Sequence, residues 1–247
     1  MKFETIIWEK RDDVAVITLN RPRVLNAQNE QLIQEFHSAL RAAATDTEVR
    51  VVIVKGKGRA FCSGYDISSG HLGDALTAER MQETTRLMLR IGKPTIAAIQ
   101  GYCLGGGCEW AMNCDLRIAA SDAKFGFPEA KIGATITNAG TKLLPLLVGL
   151  GRASELILTS KIIDANTAEQ WGLVNKVVAR DRLDAAAMEM AQEIKSGNAL
   201  SVYLARLSLW YGVSSPTEKV LDFELMHAVI ATQTQKFSKV KIKGKKS

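Results

Sequence analysis

Two glutamates twenty positions apart, Glu109 and Glu129, sit in sequence surroundings poor in charge. Glu109 lies between Cys108 and Trp110; Glu129 follows Phe127-Pro128 and precedes an apolar stretch broken only by Lys131. A carboxylic acid held among apolar groups is disfavoured in its charged form, so its pKa moves toward the range useful for proton transfer. A pair of such groups can act as acid and base on one substrate. The same pattern also fits surface glutamates or structural partners of a nearby base. Three successive glycines, Gly105 to Gly107, precede Glu109. They let the backbone approach a ligand and leave amides open at a helix N-terminus, which suits a developing negative charge. A second glycine site, Ser63-Gly64-Tyr65-Asp66, follows the apolar patch Ala60-Phe61-Cys62. It reads either as the second donor of an oxyanion hole or as an ordinary turn with Gly64 at positive φ.

Other chemistries lack their residues. His37, His71 and His227 are scattered and accompany no nucleophile motif; no zinc pattern is present, so no metal is expected. The glycines match neither phosphate-loop pattern, so no nucleotide cofactor is expected. Cys62, Cys103, Cys108 and Cys114 show no C-x-x-C pairing and lie in apolar surroundings, which reads as reduced core thiols in a cytosol-like compartment. No apolar run approaches the roughly 18 residues of a membrane span, and MKFETIIWEK lacks the apolar segment of a secretory signal. A cytoplasmic protein with no membrane span is expected.

The net charge of +6 has a definite place. Six lysines, from Lys236 to Lys246, lie beyond the last acidic residue, Glu224, and the other 26 basic residues are matched by 26 acidic ones. The basic character belongs to a C-terminal tail, which reads as a solvated end. Aromatic residues are 6% of the chain and do not interleave with a basic stripe, so nucleic acid is not the expected partner.

The elements that must position these residues follow from periodicity. Phe3 to Lys10 and Val14 to Leu19 read as strands joined by a turn. A helix follows over Asn29 to Ala44, with Leu32, Ile33, Phe36 and Leu40 on one stripe. Val51 to Val54 reads as a buried strand, Gly56 to Gly73 as a long loop, Thr77 to Leu89 as a helix and Thr95 to Ile99 as a strand. Strands are expected at Leu116 to Ala120, Lys124 to Gly126 and Leu173 to Val178. Helices are expected near 138–148, 153–159 and 165–171, and again over Leu183 to Ile194, Ala199 to Trp210 and Thr217 to about Thr232. With strands and helices alternating first and a helical cluster last, one α/β core with a helical C-terminal part is the economical architecture.

Taken together, five segments resemble the crotonase (enoyl-CoA hydratase/isomerase) superfamily. They are NRPRVLNA (20–27), AFCSGYDI (60–67), KPTIAAIQGYCLGGGCEWAMNCDLRIA (93–119), FGFPEAKIG (125–133) and AEQWGLVNKVV (168–178). The resemblance implies a crotonase-like spiral of ββα units over residues 1–195, then a helical trimerisation region with a basic tail over 196–247. It implies a homotrimer or dimer of trimers and an acyl-CoA or acyl-carrier thioester as substrate. No cofactor is implied beyond the coenzyme A of the substrate. The oxyanion donors carried over are the amides of Tyr65 and Gly106, each worth roughly 2.7–4 kcal/mol in a transition state. Hydratases of this family hold both acids, matched here by Glu109 and Glu129; Glu129 is assigned the main proton transfer and Glu109 the positioning of water. Substrate and CoA contacts are expected at Arg23, Val24, Ser63, Asp66 and Ile67, and at Leu104, Pro128, Ile132 and Thr137.

The implied activity is hydration of a 2-enoyl-CoA, or the reverse dehydration. Isomerisation, or hydration coupled to cleavage or decarboxylation of a specialised thioester, stands beside it. A reading of another class is RNA or polyanion binding through the lysine tail. The departures from the family pattern lie mainly after Glu129. Where typical hydratases read close to GTIPGAGGTQRL, this chain has GATITNAGTKLL, with Ile136 and Thr137 in place of proline and glycine. Tyr65 and Trp110 are bulkier than the alanine and leucine common at their positions.

Overall fold

The structure, a computed structural model, describes residues 3–69 and 75–234. His71 and the lysines of the tail lie outside the described residues. The chain divides into two units, Met1–Ser196 and Gly197–Ser247.

The first unit is built on a six-stranded sheet in the order β1 (Ile6–Arg11), β2 (Val14–Leu19), β3 (Val51–Gly56), β5 (Thr95–Ile99), β7 (Leu116–Ala120) and β10 (Lys176–Val178). Only β1 runs antiparallel to its neighbour. A smaller sheet has the order β4 (Ala60–Cys62), β6 (Tyr102–Leu104), β8 (Lys124–Gly126) and β9 (Ile162–Asp164), with β9 antiparallel. Every residue of β2 and β5 is buried, because parallel central strands are covered on both faces and demand continuous apolar runs. One core cluster joins the inner residues of β2, β3, β5 and β7 to Leu183, Ala186, Ala187 and Ala191 of α7 (Leu183–Ser196).

The chain repeats one step. It leaves the large sheet, adds a short strand to the small sheet, and enters a helix: β3–β4–α2 (Ala75–Arg90), then β5–β6–α3 (Gly106–Met112). This is the spiral of ββα units that the sequence led us to expect. Gln100, after β5, staples two steps together: its Nε2 donates to the carbonyls of Gly56 at 2.6 Å and Ala60 at 3.1 Å. α1 (Glu30–Thr45) starts at Asn29, whose side chain accepts from Leu32 N at 3.0 Å, and buries Leu32, Ile33, Phe36 and Leu40. Phe36 stacks on Trp110 of α3 with ring centroids 4.5 Å apart, which presses that helix into place.

The remaining elements of this unit are α4 (Gly140–Val148), α5 (Leu150–Thr159) and α6 (Ala165–Gln170). Several boundaries differ from expectation. β1 begins at Ile6, not Phe3, and the strand expected over Leu173 to Val178 is three residues long because Leu173 and Val174 donate to Ala168 O in the turn after α6. β4 lies inside what reads as a loop, and β6 and β9 are strands that the sequence reading lacks. Three-residue strands show no period of their own; pairing partners create them.

The second unit contains α8 (Ala199–Gly212) and α9 (Thr217–Thr234), which pack on each other. Tyr211 stacks on Phe223 at 4.4 Å, and Ser208 Oγ lies 2.9 Å from His227 Nδ1. Leu209, Leu221, Leu225 and Met226 are exposed.

Candidate active site

A cavity of about 490 Å³ lies beyond the C-terminal ends of β4, β6 and β8, against α2 and the start of α3. Its walls include Ser63, Gly64 and Tyr65 from the loop after β4, Gly105, Gly106 and Glu109 at the start of α3, and Pro128, Glu129 and Ile132 after β8.

The loop after β4 is held by the segment before α1. Ser63 N donates to Leu25 O, Gln28 N to Gly64 O at 2.8 Å, and Asp66 N to Gln28 O at 3.0 Å. This short parallel ladder spends the amide of Asp66 and the carbonyl of Gly64 on Gln28, so the Tyr65 amide points to the opposite side of the strand. Arg21 locks the loop from behind by pairing with Asp66 Oδ2 at 2.9 Å. Asp66 is thereby a clasp on this loop, and hydrogen bonds from Ser68 and Arg21 hold its carboxyl below the usual range against the opposing effect of burial.

Gly106 is the first residue of α3, where no intrahelical acceptor exists for its amide. Its glycine identity is steric: a Cβ there would lie 2.5 Å from Gln28 Oε1. Gly105 has φ +50°, and a Cβ on it would lie 2.5 Å from Glu129 Oε1. Backbone and carboxylate therefore meet at van der Waals contact, which no other residue type allows.

Glu109 is 1% exposed. Its Oε1 accepts from Asn138 N at 2.6 Å and Gly140 N at 3.2 Å, and its Oε2 accepts from Asn138 Nδ2 at 3.1 Å. Burial pushes its pKa up to about 7, more than these donors lower it, and the neighbouring Glu129 adds to the rise. Glu129 sits in the 3-10 turn Pro128–Ile132, and its Oε2 meets no hydrogen-bond partner among the described residues. Burial raises its pKa too, with its own backbone amide opposing.

Of the residues singled out from the sequence, Ser63, Tyr65, Ile67, Gly106, Glu109, Pro128, Glu129, Ile132 and Thr137 line this one cavity. Arg23 and Val24 lie instead in the 3-10 turn Pro22–Val24, with Val24 exposed, and Leu104 ends β6. Asp66 faces Arg21. Thr77, Ala78 and Met81 of α2, with Gly133, Ala134 and Thr135, also line the cavity and escaped the sequence reading. On an amphipathic helix such residues look like ordinary core positions. Among the described residues no group of three metal-ligating side chains comes together.

A family model described as enoyl-CoA hydratase/isomerase matches residues 9–246. The chain belongs to the enoyl-CoA hydratase/isomerase family. Within it, the chain is 39% identical over 243 residues to a crotonyl-CoA hydratase of Syntrophomonas wolfei, covering 96% of this chain and 94% of the relative. It is also 39% identical to a short-chain-enoyl-CoA hydratase of Clostridium acetobutylicum, over 91% of this chain and 88% of that one. A crystal structure of enoyl-CoA hydratase from Bacillus anthracis superposes with a TM-score of 0.90 at 32% identity, covering 94% of this chain and 92% of that chain. The fold of this family member is thus the crotonase fold, with two mixed sheets and C-terminal helices.

Proposed function

We propose that the protein is an enoyl-CoA hydratase, a lyase that adds water across the double bond of a short 2-enoyl-CoA. The observation that carries this reading is the convergence of one buried carboxylate, one half-buried carboxylate and two backbone-amide positions on one cavity. The thioester carbonyl lies against the amides of Tyr65 and Gly106. As the water oxygen bonds to the β-carbon, the carbonyl oxygen gains the negative charge that these amides stabilise. Glu109, ionised and held by three donors, orients the water and accepts its proton. Glu129 delivers a proton to the α-carbon, and proton return from Glu109 restores the pair. Three donors favour charge on Glu109, whereas Glu129 has its own backbone amide and leaves Oε2 without a partner among the described residues, so the proton is kept there.

The two hydratase relatives carry crotonyl and short-chain enoyl substrates in their names, and the same acyl class is proposed here. Thr137 lines the cavity and limits the acyl end. The segment from Arg23 to Ala27 meets the CoA nucleotide portion. Residues 196–247 form the trimerisation region; the exposed Leu209, Leu221 and Leu225 are the kind of surface that assembly covers. The compartment is cytoplasmic, in keeping with four buried thiols; among the described residues no helix is long and apolar enough to cross a membrane.

The test is loss of the conjugated thioester absorbance of crotonyl-CoA, run beside Glu129→Gln. Rapid loss that disappears in the variant is the expected result. Absence of hydration by the wild-type protein across short 2-enoyl thioesters overturns the reading.

A further inference from the structure

Asn138 lies outside the cavity wall, in the segment leading to α4, and is fully buried. This one residue holds both oxygens of the Glu109 carboxylate, its backbone N–H on Oε1 and its Nδ2 on Oε2. Asn138 is itself anchored. Its carbonyl accepts from Asn113 Nδ2 and from Thr85 Oγ1, both at 3.3 Å. Asn113 in turn donates to the Glu109 carbonyl at 2.9 Å and to Thr85 Oγ1 at 3.2 Å. Helices α2 and α3 and the entry to α4 are tied together at the root of one carboxylate.

The terminal torsion of a glutamate is broad and roughly two-fold, so a carboxylate held at one oxygen can swing. Held at both, it can turn only by breaking a hydrogen bond. An ionised carboxylate accepts and never donates, which fixes the amide of Asn138 with Nδ2 toward Glu109. Its Oδ1 has no partner among the described residues.

We propose that Asn138 is a positioning residue for the hydration step: it sets the plane of the Glu109 carboxylate and favours its ionised form. This rests on the role given to Glu109 above. The elements around Glu109 offer little else that could do so. Glu129, from the turn after β8, is a like charge and opposes ionisation. On α3 the neighbouring titratable group is the Cys108 thiol, and β4 brings Cys62, whose thiol burial pushes up to about 12. On α2, Arg80 pairs with Glu30 and Arg86 with Glu83, while Glu79 and Arg90 are exposed; Lys142, on α4, is exposed as well. Thr85, Asn113, Asn138 and Gly140 are the groups these helices and their approaches bring to Glu109 or to the residue that holds it.

Two variants test this. Asn138→Ala removes the Nδ2 donor and keeps the backbone one. Asn138→Asp keeps the shape but replaces the donor with an acceptor that can carry charge. With crotonyl-CoA, kcat of Asn138→Ala at pH 7 should fall about tenfold, with KM within about twofold. The acid limb of its kcat profile should move to higher pH by about half a unit to one unit, and that of Asn138→Asp by more. A purely structural role would lower the folded fraction and leave the limb in place. The second readout needs no turnover: the midpoint of the Glu109 carboxyl resonance in protein carrying carbon-13-labelled glutamate, assigned by its loss in Glu109→Gln. That midpoint should rise in both variants. An unchanged midpoint and limb in folded variants, or failure of both variants to fold, overturns the proposal. A wild-type protein with no hydratase activity but a midpoint that moves in the variants would sink the functional reading alone.

Discussion

Glu109 and Glu129 face the same cavity, but the ground beneath them differs. Glu109 stands on a helix pinned by the Trp110–Phe36 stack and receives three hydrogen bonds from the segment 138–140. Glu129 stands on a 3-10 turn closed by Gly133 in the left-handed region, and it rests against the bare backbone of Gly105 with Oε2 unpartnered. Glu109 is buried and Glu129 half-buried, and burial raises both pKa values. What separates the roles proposed for them is the supply of donors: three N–H groups work against burial at Glu109, and only its own backbone amide does so at Glu129.

The largest break in this comparison is Glu129→Gln, which keeps shape and burial but has no proton to deliver. Its kcat should fall by about 10² to 10⁴ in the crotonyl-CoA assay.

Glu109→Gln tests the other side through stability. Because the folded pKa of Glu109, about 7, exceeds the ordinary glutamate value of 4.5, the folded state binds the extra proton between those values. Stability therefore falls as pH rises from 4.5 to about 7 and flattens above, by on the order of 3 kcal/mol for this group. Denaturant titrations should show Glu109→Gln lacking that share of the slope; an identical slope would mean that Glu109 stays ionised throughout.

Gly105→Ala and Gly133→Ala sharpen the contrast further. Both positions have positive φ, +50° and +72°, so both variants should lose about 1–2 kcal/mol of stability. Only the first also places a methyl 2.5 Å from Glu129 Oε1, whereas a Cβ at Gly133 meets nothing within 4 Å. Gly105→Ala should therefore lose activity well beyond its loss of stability, and Gly133→Ala should not.

The smallest effect concerns the segment that serves Glu109. Ala139, with φ +64°, stands just before α4 in a conformation that disfavours a side chain. Ala139→Gly should gain about 0.5 kcal/mol, the relief of that strain exceeding the entropy cost of glycine. A loss in thermal unfolding would show that the methyl group contributes packing instead.

Much of the site was legible in the sequence because its parts are local. The triple glycine must precede a helix that comes close to a ligand, and β2, β3 and β5 are written as continuous apolar runs. The small sheet was less legible. Ala60 to Cys62 has no period of its own and becomes a strand by pairing with β6. Asp66 reads as a binding residue within its motif, and only Arg21, 45 positions away, makes it a clasp on the loop. The cavity-lining Thr77 and Met81 look like any half-buried helix face.

The sequence by itself determined the family, since its motifs act over neighbouring residues, and the family resemblance brought with it the ββα spiral and the candidacy of Glu109 and Glu129. Tertiary structure decided how each acid is held. Asn138 is 29 residues from Glu109, and no local pattern reports the distance between them. Their hydrogen bonds exist because α2, α3 and the approach to α4 close on one buried point, where an unmatched carboxylate would be costly and the donors brought there decide its charge.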